Sequence, residues 1–172
     1  MQAKLTSSLV PAAPRVEERA GKYLTFRLGR EEFAIQVVKV REIMGVQDIT
    51  SVPHTPIYVK GVINLRGKVI PVVDLRLKFG LPEVEYDKRT CLIVVQIQGP
   101  AAGLLAGIVV DAVSEVLNIA PGEIEDTPDF GAGVETPYLL GMAKIKGRVK
   151  IVLDIDKVLS TQDLEGLGAV LQ

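Results

Sequence analysis

The chain has 172 residues, 48% of them hydrophobic, with a formal net charge of -1, enough to bury a core as one domain or two small ones sharing an interface. One cysteine, Cys91, and one histidine, His54, exclude an internal disulfide and a Cys/His metal cluster, so no cofactor or metal is expected and a reducing, cytoplasmic setting fits. Near-neutral charge, no tryptophan and no row of aromatics give no basis for binding nucleic acid or an acidic membrane.

Residues 1–20 hold only the short apolar run Leu9-Val10 before Pro11 and a charged stretch, which predicts a mobile tail and no secretory leader. YLTFRL and EEFAIQV then read as strands joined by Gly29-Arg30, and KVREIMGV leads to the Pro-containing loop around His54. GVINLRGKVIPVVDL reads as a second hairpin, with Asn64, Arg66 and Gly67 at its turn as either punctuation or a displayed contact. Residues 90–110, TCLIVVQIQGPAAGLLAGIVV, are 21 residues without a charge. Gln96, Gln98 and Gly99-Pro100 at its centre make it a hairpin of buried strands, not a membrane span. DAVSEVLNI and the hairpin GMAKIKGRVKIVLDI follow, and Asp156–Leu171 carries apolar residues near helical spacing, predicting a closing helix.

These segments are one unit written twice. Tyr58, Gly61, Gly67, Val69, Val72 and Asp74 recur 80 residues later as Tyr138, Gly141, Gly147, Val149, Val152 and Asp154. Ile35, Val40, Glu42 and Ile43 answer to Ile108, Val113, Glu115 and Val116 at an offset of 73. So many short strands with glycine turns predict a mainly β fold of two small, nearly closed barrels packed together. The expected layout is a tail over 1–20, one domain over 21–160 with copies at 21–80 and 90–160, and a helical tail over 161–172.

Catalytic readings find little support. His54, between two prolines, has no obvious partner. Asp74 and Asp154 end equivalent strands, where a carboxylate accepts bonds from nearby backbone N–H groups. Cys91 opens a strand as a small packing residue. No phosphate loop occurs, since Val69 stands where Gly67-Lys68 would need Ser or Thr to follow. The remaining enzymatic reading is a ligand-binding or catalytic cleft between the units, using Asp74, His54 and Glu42.

EEFAIQVVKVREIMGV, TPIYVKGVINLRGKVIPVVDLRLKFG and GIVVDAVSEVLNI resemble the CheW-type chemotaxis coupling proteins, from about Tyr23 to Leu159. The resemblance implies two five-stranded, SH3-like barrels and a non-enzymatic adaptor in the cytoplasm, at membrane-associated receptor arrays. Its implied partners are the regulatory domain of the chemotaxis histidine kinase and the cytoplasmic tip of methyl-accepting chemoreceptors, with no nucleic acid and no membrane insertion. It implies receptor contacts at Val40, Glu42, Gly61, Asn64, Arg66, Gly67, Thr90 and Cys91, and kinase contacts at Glu32, Ile35 and Val37. Two departures are the longer apolar turn near Leu104 and Leu105, and Met44 where some members carry arginine. No kinase or receiver domain fits in the residues that the repeat occupies.

Overall fold

The computed structural model describes residues 21–98, 103–128 and 138–159. Eleven strands among them form two sheets, with helices reduced to single turns. The first copy supplies β1 (Gly21–Leu28), β2 (Glu31–Gln36), β3 (Val40–Gly45), β4 (Val59–Leu65) and β5 (Lys68–Asp74), then α1 (Leu75–Lys78). The second supplies β6 (Cys91–Ile97), β7 (Leu104–Val110), β8 (Ala112–Ile119), β9 (Ile124–Glu125), β10 (Leu139–Ile145) and β11 (Arg148–Leu153), then α2 (Ile155–Val158).

The boundary between sheets does not run between the copies. One sheet has the order β3-β6-β7-β5-β4 and the other β8-β1-β2-β11-β10-β9, so each combines the first two strands of one copy with the later strands of the other. The exchange is made by two parallel pairings, Val72↔Gly107 to Asp74↔Val109 and Phe33↔Ile151 to Ala34↔Val152. Adding 80 to Val72 gives Val152, and subtracting 73 from Gly107 gives Ala34, so the two parallel contacts are the same contact repeated.

Both sheets turn back on themselves. Thr50, downstream of β3, exchanges backbone hydrogen bonds of 2.8 and 2.9 Å with Val62 on β4, at the opposite end of the strand order. β9, downstream of β8, pairs with β10 at the far end of the other sheet in the same way. This protects edges that would otherwise template association.

Period-two alternation then sorts side chains into three cores. On β6, Leu92 and Val94 join Ile63, Ile70, Val72 and Val109 inside the first barrel. Ile93, Val95 and Ile97 face the opposite way and meet Phe26, Leu28, Ile35 and Leu153 in the larger layer between the barrels. Tyr23, Ala34, Ile119, Ile124, Ala143 and Val152 fill the second barrel.

The uncharged stretch is the hairpin β6–β7, paired from Cys91↔Val110 to Ile97↔Leu104. Among the described residues no helix is long and apolar enough to cross a membrane. The expected closing helix is seen only as α2, because residues 160–172 lie outside the described residues, as do the expected tail 1–20 and the centre of the Gly99-Pro100 turn.

Candidate functional site

The β4–β5 hairpin closes on the pair Leu65↔Lys68, leaving a two-residue turn in which Arg66 has φ 51° and Gly67 φ 85°. Positive φ at both central residues is the type I′ geometry that matches strand twist. A glycine meets it freely, whereas an arginine does so against its own Cβ. Asn64 offsets part of that strain, its Oδ1 accepting the Gly67 N–H at 2.9 Å. The second copy repeats the backbone, with Lys146 at φ 53° and Gly147 at 76°, but Lys144 replaces Asn64 and has no acceptor to offer.

Arg66 is not free on its turn. Its Nη1 and Nη2 donate to the two carboxylate oxygens of Glu42 at 2.6 and 2.7 Å, a fork-to-fork pair reaching across the barrel from β5's turn to β3. The guanidinium stays 73% exposed while Glu42 is half-buried. That hydrogen bonding holds the Glu42 carboxyl below its ordinary value near 4.5 and raises Arg66 further. The arrangement is a planar cation on a rigid hairpin, oriented by a carboxylate and flanked by the exposed apolar residues Ile43 and Val69.

The other residues expected at this surface divide by burial. Val40 is half-buried against the layer between barrels. Gly61 sits at a bulge in β4 with φ 140°, and a Cβ there would lie 2.0 Å from the Thr50 carbonyl oxygen, so this glycine permits barrel closure. Thr90 is buried, its Oγ1 accepting the Asp87 N–H at 2.8 Å. Asp87 is held low by the Arg89 backbone N–H and ties the loop entering β6. Cys91 is half-buried, with Sγ 3.2 Å from the Arg89 carbonyl oxygen.

The three residues expected at a second contact lie on β2 and the 3-10 turn that follows it. β2 is an interior strand between β1 and β11, so it offers no free edge to a partner. Ile35 is fully buried in the layer between barrels, and its side chain supports the strand from beneath without reaching the surface. Val37 opens a 3-10 turn and is half-buried. Glu32 is half-buried and ion-paired with Lys150, which is itself buried.

A cleft using Asp74, His54 and Glu42 is not assembled. Asp74 caps α1, its Oδ1 accepting from the Arg76 N–H at 2.9 Å and its Oδ2 from the Tyr86 hydroxyl at 2.8 Å. Asp154 caps α2 in the same way. His54 is exposed on a loop with φ 63°, and Glu42 is already held by Arg66. Four surface cavities of about 320 to 570 Å³ are lined by none of the three. Among the described residues no three His, Cys, Asp or Glu side chains gather as metal ligands.

Residues 22–163 match the CheW-like domain family. The chain belongs to that family. This CheW-like chain is 40% identical over 143 residues to the chemotaxis protein CheW of Klebsiella aerogenes, covering 83% of this chain and 84% of that protein. It is 36% identical over 154 residues to the CheW of Rhizobium meliloti, covering 90% and 97%. Its fold is similar to the crystal structure of the scaffolding protein TtCheW from Thermoanaerobacter tengcongensis, with a TM-score of 0.72, 33% identity, and coverage of 82% of this chain and 93% of that one.

Three features of this CheW-like chain escaped the sequence reading. A row of stacked aromatics, Phe26, Phe33, Phe79 and Tyr138, crosses between the barrels with centroid spacings of 5.9, 5.8 and 5.4 Å. Its members come from four separate segments, so no local pattern announces it. Arg76 pairs with Asp111 at 2.6 Å while Asp111 accepts the Gly29 N–H at 2.7 Å, pinning α1 to the β1–β2 turn. The Arg66–Glu42 pair had one visible signal: both partners are present in the first copy, whereas the second copy keeps Glu115 but changes arginine to lysine.

Proposed function

We propose that this chain is a non-enzymatic coupling adaptor that joins the cytoplasmic tip of chemoreceptors to the regulatory domain of a chemotaxis histidine kinase, working in the cytoplasm at receptor arrays. The observation that carries the reading is the rigid, exposed Arg66 fork on its type I′ turn, oriented by Glu42. A helical receptor tip rich in carboxylates and amides presents acceptors that such a fork engages, and Val40, Gly61, Asn64 and Gly67 shape the ground around it. Thr90 and Cys91 support the adjoining strand. The kinase contact is assigned to β2 and its 3-10 turn, with Glu32 and Val37 at or near the surface and Ile35 fixing the strand from the core.

Co-sedimentation with receptor-bearing membranes and purified kinase tests the reading. The protein raises kinase activity in the presence of receptor and shows none alone. Arg66→Glu lowers receptor affinity by about 30-fold or more, and Lys146→Glu, at the equivalent turn, is nearly silent. Equal losses at 66 and 146, with both variants folded, would return the NLRG turn to a purely structural role.

A further inference from the structure

We infer that the mouth of the second barrel is a docking site for an acidic segment of a partner protein. A concave pocket of about 320 Å³ opens there, lined by Arg27, Arg30, Glu31, Glu32, Arg148 and Val149. It is placed by two turns, Gly29-Arg30 between β1 and β2, and Lys146-Gly147 between β10 and β11. Among the described residues, no carboxylate is paired with the guanidinium of Arg27, Arg30 or Arg148. Among the described residues the one pocket carboxylate in an ion pair is Glu32, held by the buried Lys150. Three cations, Arg27, Arg30 and Arg148, thus line the pocket with two carboxylates, Glu31 and Glu32, and Glu32 is neutralised by Lys150, in a chain whose overall charge is -1.

The duplication shows that this charge is not a requirement of the fold. Positions equivalent to Lys150 and Glu32 are Ile70 and Leu105, which meet inside the first barrel as an ordinary apolar contact. Glu31 and Arg30 answer to Leu104 and Gly103, while Arg148 answers to Lys68, so the first barrel's rim is apolar along one of the two turns where the second is ionic along both. The same backbone serves both ends, and only the second places Arg30, Glu31 and Glu32 along its rim.

Charge and shape select the occupant. Unpaired arginine forks around a hollow fit a side-chain carboxylate bidentately, and a concavity receives a protruding segment better than a flat membrane does. The pocket's own Glu31 and Glu32 oppose a dianionic phosphate more than a carboxylate, and a near-neutral chain lacks the extended basic surface that a nucleic acid or an anionic lipid layer requires. Val149, half exposed at the rim, gives an apolar flank to a peptide. The site lies apart from the Arg66 turn and shares only Glu32 with the proposed kinase contact.

The test is a titration of the isotope-labelled full chain with a synthetic pentaglutamate peptide, read by amide chemical shifts, beside pentaalanine, inorganic phosphate and vesicles containing anionic lipid. Shifts confined to residues 27–32 and 146–149, weakening with salt, are expected from pentaglutamate alone. Arg27→Glu with Arg148→Glu lowers that affinity about tenfold or more while the melting temperature and receptor co-sedimentation are kept. Arg30→Glu, in an exposed turn, repeats the test where the double variant does not fold. Absence of shifts at these amides, or equal affinity in the folded variants, overturns the proposal. Tighter, saturable binding of phosphate or vesicles through the same arginines overturns the assignment to an acidic peptide.

Discussion

Two residues near the NLRG turn combine structural need with display, and experiment separates the two. Gly61 is fixed by closure, since any Cβ would meet the Thr50 carbonyl oxygen at 2.0 Å and the φ of 140° already disfavours a side chain. Gly61→Ala is therefore expected to destabilise the fold by roughly 2–5 kcal/mol, combining backbone strain with overlap against immovable backbone. Thermal melts that match the parent would show that β4 and residue 50 separate at no cost. Glu42 makes a different prediction, because its folded carboxyl titrates below its ordinary value near 4.5 through the Arg66 hydrogen bonds. A lowered folded value means that the stabilisation is fully present above about pH 4.5 and is lost as pH falls through the folded value. The stability difference between the parent and Glu42→Gln is expected at pH 7 and should shrink below pH 4.5, as the pH falls through the lowered folded value and protonation leaves both side chains neutral. It also shrinks with salt, since the pair is exposed. A difference that persists unchanged at low pH would mean that Glu42 acts by packing. The local chemistry was legible beforehand: the Asp74 and Asp154 caps and the Gly67 and Gly147 turns follow from residue type and spacing alone. The Arg66–Glu42 pair was not, because it depends on two ends of a sheet meeting.

At the scale of elements, strand identity followed from composition and alternation, and pairing did not. The hairpins β4–β5, β6–β7 and β10–β11 are local, and their turns mark them in the sequence. The parallel pairs β5–β7 and β2–β11 join strands from different copies, and parallel neighbours leave no turn signature between them. The repeat therefore marks the two copies and the two barrels without saying which copy's strands close which barrel. The Lys150–Glu32 pair became visible once β2 and β11 were known to touch, although the replacement of Ile70 by Lys150 was present in the repeat. Buried ion pairs cost desolvation that apolar packing does not, so restoring the first barrel's solution should be tolerated. The double variant Glu32→Leu with Lys150→Ile is expected to be neutral or more stable by about 1–4 kcal/mol, whereas Lys150→Ile alone loses stability by leaving Glu32 half-buried and unpaired. Chemical denaturation of the four chains in this cycle measures it. A double variant much less stable than either single one would show that the pair holds β2 and β11 together.

At the scale of the whole molecule, the exchange of strands decides what can fold alone. Had each copy closed its own barrel, the chain would be two small units leaning on one interface. Instead the first copy holds two strands of one barrel and three of the other, and the layer between barrels draws on Phe26 and Ile35 from one half and Ile93, Ile108 and Leu153 from the other. A half-chain would expose the partner edges of β2 and β5 together with that apolar layer, and a unit of this size has little core to spare. Cleavage in the loop between α1 and β6, at Glu85, gives pieces that each lack part of both barrels. Neither piece is expected to show dispersed amide resonances alone. Mixed at equal concentration they should fold together, because every lost pairing is intermolecular and complementary, with a melting temperature that rises with concentration. The intact chain should unfold in one transition seen alike by far-ultraviolet circular dichroism and by aromatic signals from the Phe26–Tyr138 row that crosses between the barrels. A first half that folds alone, or two separate transitions in the intact chain, would contradict the exchanged topology and restore the sequence repeat as the unit of folding.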